Sequence, residues 1–232
     1  MAADFGHRIK DFIGFDYHGG DTANLTSEDQ AIETACAEVI DALPDSLLLA
    51  NAEKPASIIH GTADSSFNSE GKKILRVLRK DDRGYNRVCE EVDVDTFNEM
   101  QDEDSIYFPT QHSPVYTLDA TTGTTKLKIR PSVRTDLINY AGTVYSVTYP
   151  IAEDFTDDLD DLTSIPGLPH EAEHAVALKA SIYILQTLIS DAVQDEEDDE
   201  MLSMLQTQLQ SLTAMYTAEL QRLMQSEGVG GE

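Results

Sequence analysis

The stretch with the most chemical potential is His170-Glu171-Ala172-Glu173-His174. Two histidines four apart, with a glutamate after the first, fit the H-E-x-x-H pattern. There both imidazoles leave one helical face to hold zinc, and the glutamate acts as general base. His170, Glu171 and His174 are therefore the zinc candidates. Their context argues for an ordinary helix start instead. Pro169 immediately precedes the motif and places it in the first helical turn. Glu173 puts a charge where zinc hydrolases have an uncharged residue. The metzincin continuation needs a glycine three residues after the second histidine and another histidine three further on; Ala177 and Ala180 stand there. A third ligand would have to be Glu197 or Glu200, from an acidic run. As a helix start, Glu171 and Glu173 simply complement the helix dipole. The expectation is no metal, no cofactor and no catalytic residue.

Other chemistry-bearing residues are thinner still. Asp154, Asp157, Asp158, Asp160 and Asp161 lack the central glycine and closing glutamate of an EF-hand loop. Cys36 falls on the apolar face of an early helix. Cys89 lies in a strand-like segment with no histidine, asparagine or aspartate arrangement around it to make a nucleophile. His7, His18, His60 and His112 are scattered, and no G-x-S-x-G, nucleotide-binding glycine loop or C-x-x-C is present.

The elements that position these residues belong to a chain of 232 residues with 43 acidic and 16 basic side chains, a net charge of −27. Such a chain repels nucleic-acid phosphate and anionic membranes. Hydrophobic residues, at 41%, suffice for a core. The expectation is that no apolar run reaches the length of a membrane span, and MAADFGHRIKDF lacks the apolar stretch of a signal peptide. Two cysteines make no disulfide framework, so an intracellular origin is expected.

The reading along the chain is α+β: a helical body, made of an N-terminal helix and a C-terminal helical hairpin, with an inserted antiparallel β module. Residues 1–24 form an arm, in which Phe5, Ile9, Phe12, Ile13 and Phe15 give a short amphipathic turn before Gly19 and Gly20. Residues 25–71 are a helical segment and connection. Thr26 or Ser27 is the expected N-cap, Ile32, Ala35, Cys36, Val39, Ile40 and Leu43 the buried stripe, and Pro44 the stop. Residues 72–150 are the β module, with strands around Ile74–Val77, Val88–Val94, 105–108, 114–118, 126–130 and 143–149. Residues 151–169 are an acidic linker, 170–226 the helical hairpin and 227–232 a flexible tail. The first hairpin helix is apolar on most sides, as in a bundle interior. The second carries Leu202, Leu205, Leu209, Leu212, Tyr216, Leu220 and Leu223 at heptad-like spacing. Eleven of the 16 basic residues lie between Lys72 and Arg134, and only Lys179 and Arg222 lie beyond Ile151. That segregation suits contacts between one copy's basic module and the next copy's acidic face.

Three stretches together resemble the head–tail connector (adaptor, or neck) proteins of tailed bacteriophages. The first is Ser27 to Pro44. The second runs from AspSerIleTyrPhePro at Asp104 through SerProValTyr and LysIleArgPro to TyrSerValThrTyrPro at Pro150. The third is IleProGlyLeuPro from Ile165 with the two helices after it. The resemblance implies a non-enzymatic virion protein at the head–tail junction, assembled in the host cytoplasm. Its partners would be about eleven further copies of itself, the portal protein, and tail or nozzle proteins. DNA would pass through the ring without specific binding, and no membrane is involved. On this reading Tyr183, Leu188, Leu205, Leu209 and Leu212 are the candidate oligomer interface, shared with the subunit's own core. Phe12, Phe15, Tyr145 and Tyr149 are the candidate partner interface. The alternatives are another phage neck, tail-tube, gatekeeper or decoration protein, a zinc-dependent hydrolase using the HEAEH segment, and an acidic DNA mimic. The mimic is disfavoured by the cluster of eleven basic residues.

Overall fold

A computed structural model of the chain describes residues 5–14, 25–50, 52, 56–58, 67–102, 105–120, 125–131, 142–151, 155, 164–165, 167–194 and 199–225. The class is α+β, with helices at both ends of the chain and sheets between. The chain divides into a helical unit, built from residues 1–51 and 149–232, and a β-rich unit of residues 52–148.

The helical unit is organised around α5 (Glu173–Gln194), which packs against α1 (Phe5–Ile13), α2 (Leu25–Ala42) and α6 (Asp199–Gln225). The stretch His170–Val193 is long and apolar enough to cross a membrane by length and composition, which corrects the reading that no run reaches that length. Here its Ala175, Val176, Ala177, Leu178, Ala180 and Leu185 are all buried among the other helices. The alanines let neighbouring backbones approach closely, while Leu178 and Leu185 fill the space between them.

The N-terminal segment is not a free arm through residues 5–13. In α1, Phe5, Ile9 and Ile13 repeat every four residues and are all buried. Removing each from water contributes roughly 1.5–3 kcal/mol. Gly14, at φ 80°, closes the helix with its N–H on the Lys10 carbonyl at 2.9 Å. In α2 the stripe Ile32, Ala35, Cys36, Val39, Ile40 and Leu43 is buried as its spacing requires. The helix begins at Leu25, ahead of the expected Thr26 or Ser27 cap, and Pro44 ends it and opens the short α3 (Asp45–Leu49).

The β-rich unit begins at Ala52, earlier than Lys72, because β1 (Ala56–Ile58) joins a sheet. That sheet is antiparallel in the order β1–β7–β2–β3, with β2 Lys72–Lys80, β3 Asn86–Val88 and β7 Gly142–Thr148. A bulge between Ile74 and Arg76 interrupts the β2–β7 register opposite Tyr145 and the buried Ser146. The second sheet has the order β4–β5–β6: Glu90–Glu91, Val115–Asp119 and Lys126–Arg130. Its β5–β6 pair is antiparallel but β4–β5 is parallel, so the module is not antiparallel throughout. Val77, Cys89, Tyr116, Leu127 and Val144 form the core, with Phe67, Ile74, Leu118 and Ile129 against it.

One expected strand is absent there, and the one expected around Val88–Val94 is cut short, β3 ending at Val88 and β4 at Glu91. Residues 105–108 form a turn: the Tyr107 N–H donates to Ser105 Oγ at 3.2 Å, and Ile106 is 90% exposed. The Val92–Val94 run yields to helix α4 (Val94–Glu99), because Asp93 between the valines caps it, accepting from the Thr96 N–H at 2.8 Å.

Candidate functional site

In the HEAEH segment, His170–Ala172 is a turn of 3₁₀-helix and α5 starts at Glu173. A 3₁₀ turn advances by about three residues per turn, not 3.6, so side chains four apart no longer stack on one face. The two histidines accordingly have different neighbours. His170 Nδ1 lies 2.7 Å from Glu173 Oε2, while the His174 ring meets Phe12 of α1 edge-on, centroids 5.5 Å apart at 65°. Glu171 is exposed and Glu173 is buried. Glu173 Oε2 has no aligned hydrogen bond; its close neighbours are His170 and, at 4.0 Å, Arg8 of α1. Among the described residues, no three His, Cys, Asp or Glu side chains converge to hold a metal ion. Asp154, Asp157, Asp158, Asp160 and Asp161, the run compared with an EF-hand loop, lie outside them. What the HEAEH segment does is seat α1: Arg8 and Phe12 meet Glu173 and His174, and Gln208 Nε2 of α6 donates to the Phe12 carbonyl at 2.6 Å.

A second polar cluster ties α2, α5 and α6 together. Lys179 Nζ lies 2.8 Å from Glu38 Oε2, and 4.8 and 5.2 Å from the ring centres of Tyr183 and Tyr216. The Tyr183 hydroxyl donates to Glu38 Oε1. Burial pushes the Glu38 carboxyl upward, but the hydrogen bonds from Lys179 and Tyr183 outweigh it and leave the pKa lowered. Burial, the hydrogen bond to Glu38 and that carboxylate's charge raise the Tyr183 phenol. The sequence marks Lys179 as one of only two basic side chains beyond Ile151, without indicating its partners.

The proposed interface residues fall into three groups. Leu205 and Leu212 are buried within the helical unit, 2% exposed each. Tyr183 is partly engaged in the Glu38 cluster, and Leu188 and Leu209 are half-buried. Phe12 is half-buried against His174, Tyr145 is half-buried on β7, and the Tyr149 hydroxyl donates to Asp41 Oδ1 at 2.6 Å. Phe15 lies outside the described residues.

In the β-rich unit, the β2–β3 turn is built on Asp81. Its buried carboxylate accepts from the Arg83 N–H at 3.0 Å, the Tyr85 N–H at 2.9 Å and Arg87 Nε at 3.0 Å. Burial pushes its pKa up, but the Tyr85, Arg87 and Arg83 donors prevail and hold it below the ordinary carboxylate range. Cys36 and Cys89 are both buried, and burial pushes each thiol up to about 12.

The charge distribution also needs correcting. Residues 72–134 hold eleven acidic as well as eleven basic side chains, so the module is balanced rather than basic. Asp81 and Asp119 neutralise Arg87 and Lys128 at 2.9 and 2.5 Å. The excess charge sits in the helical unit, with 28 acidic against four basic side chains. No family model matches the chain, and no curated protein matches it.

Proposed function

We propose that this chain is a non-enzymatic structural protein of tailed-phage virions, a head–tail adaptor forming a ring of about a dozen copies between portal and tail. The observation that supports it best is the architecture: the two ends of the chain build one helical unit and the β-rich unit is inserted between them. This is the segment order on which the connector resemblance rests. The charge agrees, since a helical unit with 28 acidic and four basic side chains gives a wall along which DNA slides without sticking. The residues of the HEAEH segment act in helix docking on this reading, not in hydrolysis. The test is co-sedimentation with rings of the portal protein encoded by the same genome. Saturable binding at one copy per portal subunit supports the adaptor. Absence of binding at micromolar concentration removes it.

A further inference from the structure

Helices α2 and α5 leave an open groove of about 480 Å³ between them, with Thr34 on one wall and Tyr183, Thr187 and Asp191 on the other. Its chemistry is set by where the hydroxyl protons go. Thr34 Oγ1 donates to the Gln30 carbonyl at 2.8 Å and Thr187 Oγ1 to the Tyr183 carbonyl at 3.2 Å, while the Tyr183 hydroxyl donates to Glu38 Oε1. A hydroxyl has one proton and two lone pairs. With their protons spent inside the protein, these three can only accept from a group in the groove. Asp191, the one charged lining residue, accepts as well. The groove is thus a strip of acceptors ending in a carboxylate that no lining residue neutralises.

The surroundings carry the same sign. The helical unit holds 28 acidic and four basic side chains, and three of the four are tied up: Arg8 by Glu173, Lys179 by Glu38 and Arg222 by Glu219. An anion in the groove would meet repulsion and lone pairs facing lone pairs. A cation that carries only donors meets the opposite on both counts.

We infer that the α2–α5 groove docks an arginine-bearing segment of a partner protein. A guanidinium has five N–H donors in a planar fork, no acceptor and a permanent charge, whereas an ammonium gathers three donors at one point. Asp191 and Thr187 lie one turn apart on α5, close enough for one guanidinium to reach both. At the other end, Glu38 is half exposed and keeps lone pairs beyond those taken by Lys179 and Tyr183. The rise of α5 puts Asp191 about 12 Å beyond Tyr183, and an extended chain covers that in about four residues. Two arginines four apart on one chain therefore reach both ends. A lone surface carboxylate would take any cation; the strip of acceptors between the ends is what favours a many-donor one. The site lies within one chain and goes beyond the adaptor reading.

The test is fluorescence anisotropy of a labelled glycine–serine peptide carrying two arginines four residues apart, titrated with the whole chain. The salt is about 0.15 M, where attraction between exposed charges beyond about 8 Å is screened. Binding should saturate at one peptide per chain, and the same peptide with citrulline, similar in shape but uncharged, should not bind. Asp191→Asn should weaken binding by about tenfold or more, as for a lost hydrogen bond to a charged group, and Thr187→Val by severalfold. Glu171→Gln removes an equal charge from the turn that leads into α5 and should change nothing; circular dichroism checks that each variant is folded. Equal losses in Asp191→Asn and Glu171→Gln overturn the proposal in favour of diffuse attraction to an acidic surface. Free arginine or spermidine competing at the peptide's own affinity overturns it in favour of a small-cation site. Absence of saturable binding up to millimolar chain overturns it outright. None of these outcomes bears on the ring, which the portal measurements test separately.

Discussion

Truncating Ile9 isolates the docking of α1. Its side chain is 1% exposed, between Phe5 and Ile13 on the stripe that faces α5. Ile9→Ala removes three carbons and leaves a void, for which buried aliphatic truncations cost about 2–5 kcal/mol. A nine-residue helix is marginal alone and depends on its docked face. Release also returns conformational freedom to that backbone, which opposes the burial of the three side chains. α1 should therefore leave α5 before the rest of the unit unfolds. The loss then caps at the docking energy and appears locally. Hydrogen exchange read by mass spectrometry is the assay: amide protection across 5–13 should fall by about 30- to 4,000-fold, the equivalent of that cost at tenfold per 1.4 kcal/mol. Protection in α5 and α6 should change little. If protection falls equally in all three helices, α1 opens only with global unfolding and the reasoning is wrong.

Lys179→Met should lower the melting temperature by removing the cation between two tyrosine rings and beside Glu38. A double-mutant cycle with Glu38→Gln should give a coupling of only about 0.5–1 kcal/mol, because Glu38 is half exposed to solvent. The lowered Asp81 pKa means the folded state holds this group ionised below the pH at which the unfolded chain protonates it. Its stabilisation is thus complete above the ordinary aspartate range and is lost as pH falls through the folded value. Asp81→Asn should flatten that acid limb in melts between about pH 4 and 2. The raised thiols act with the opposite sign: Cys36 and Cys89 stay protonated when folded, so stability should decline as pH rises from about 9 toward 12. At pH 8 both should react with Ellman's reagent only after denaturation; rapid reaction in the native protein would contradict their burial. After zinc loading and dialysis, elemental analysis should find far less than one zinc per chain, unchanged by His174→Ala, whereas stoichiometric zinc lost in that variant would revive the hydrolase.

The α5 and α6 helices were legible because their apolar positions repeat along one continuous segment. The stripes of α2 and α6 also named the right core side chains, among them Cys36, Leu205 and Leu212. The role of α1 was not legible, although its four-residue repeat was, because its partner lies in α5 near the other end of the chain. Three-residue β1 has too little sequence to show a period, and its place is set by pairing with β7. At Val92–Val94 the valines suggested a strand, but the Asp93 cap prevailed. At 105–108 the run Ile106-Tyr107-Phe108 suggested a strand, yet a serine-stabilised turn won. In the HEAEH segment the spacing of the histidines was plain; that Pro169 would lead into a 3₁₀ turn, separating His170 from His174, depended on backbone geometry that spacing does not encode.

Native mass spectrometry of the purified chain, alone and mixed with its portal ring, at low and moderate salt, tests the adaptor most directly. The account predicts a closed multimer of about a dozen copies, either free or only on the portal, unaffected by a chelator. A chelator-sensitive monomer carrying one zinc, indifferent to the portal, would contradict it.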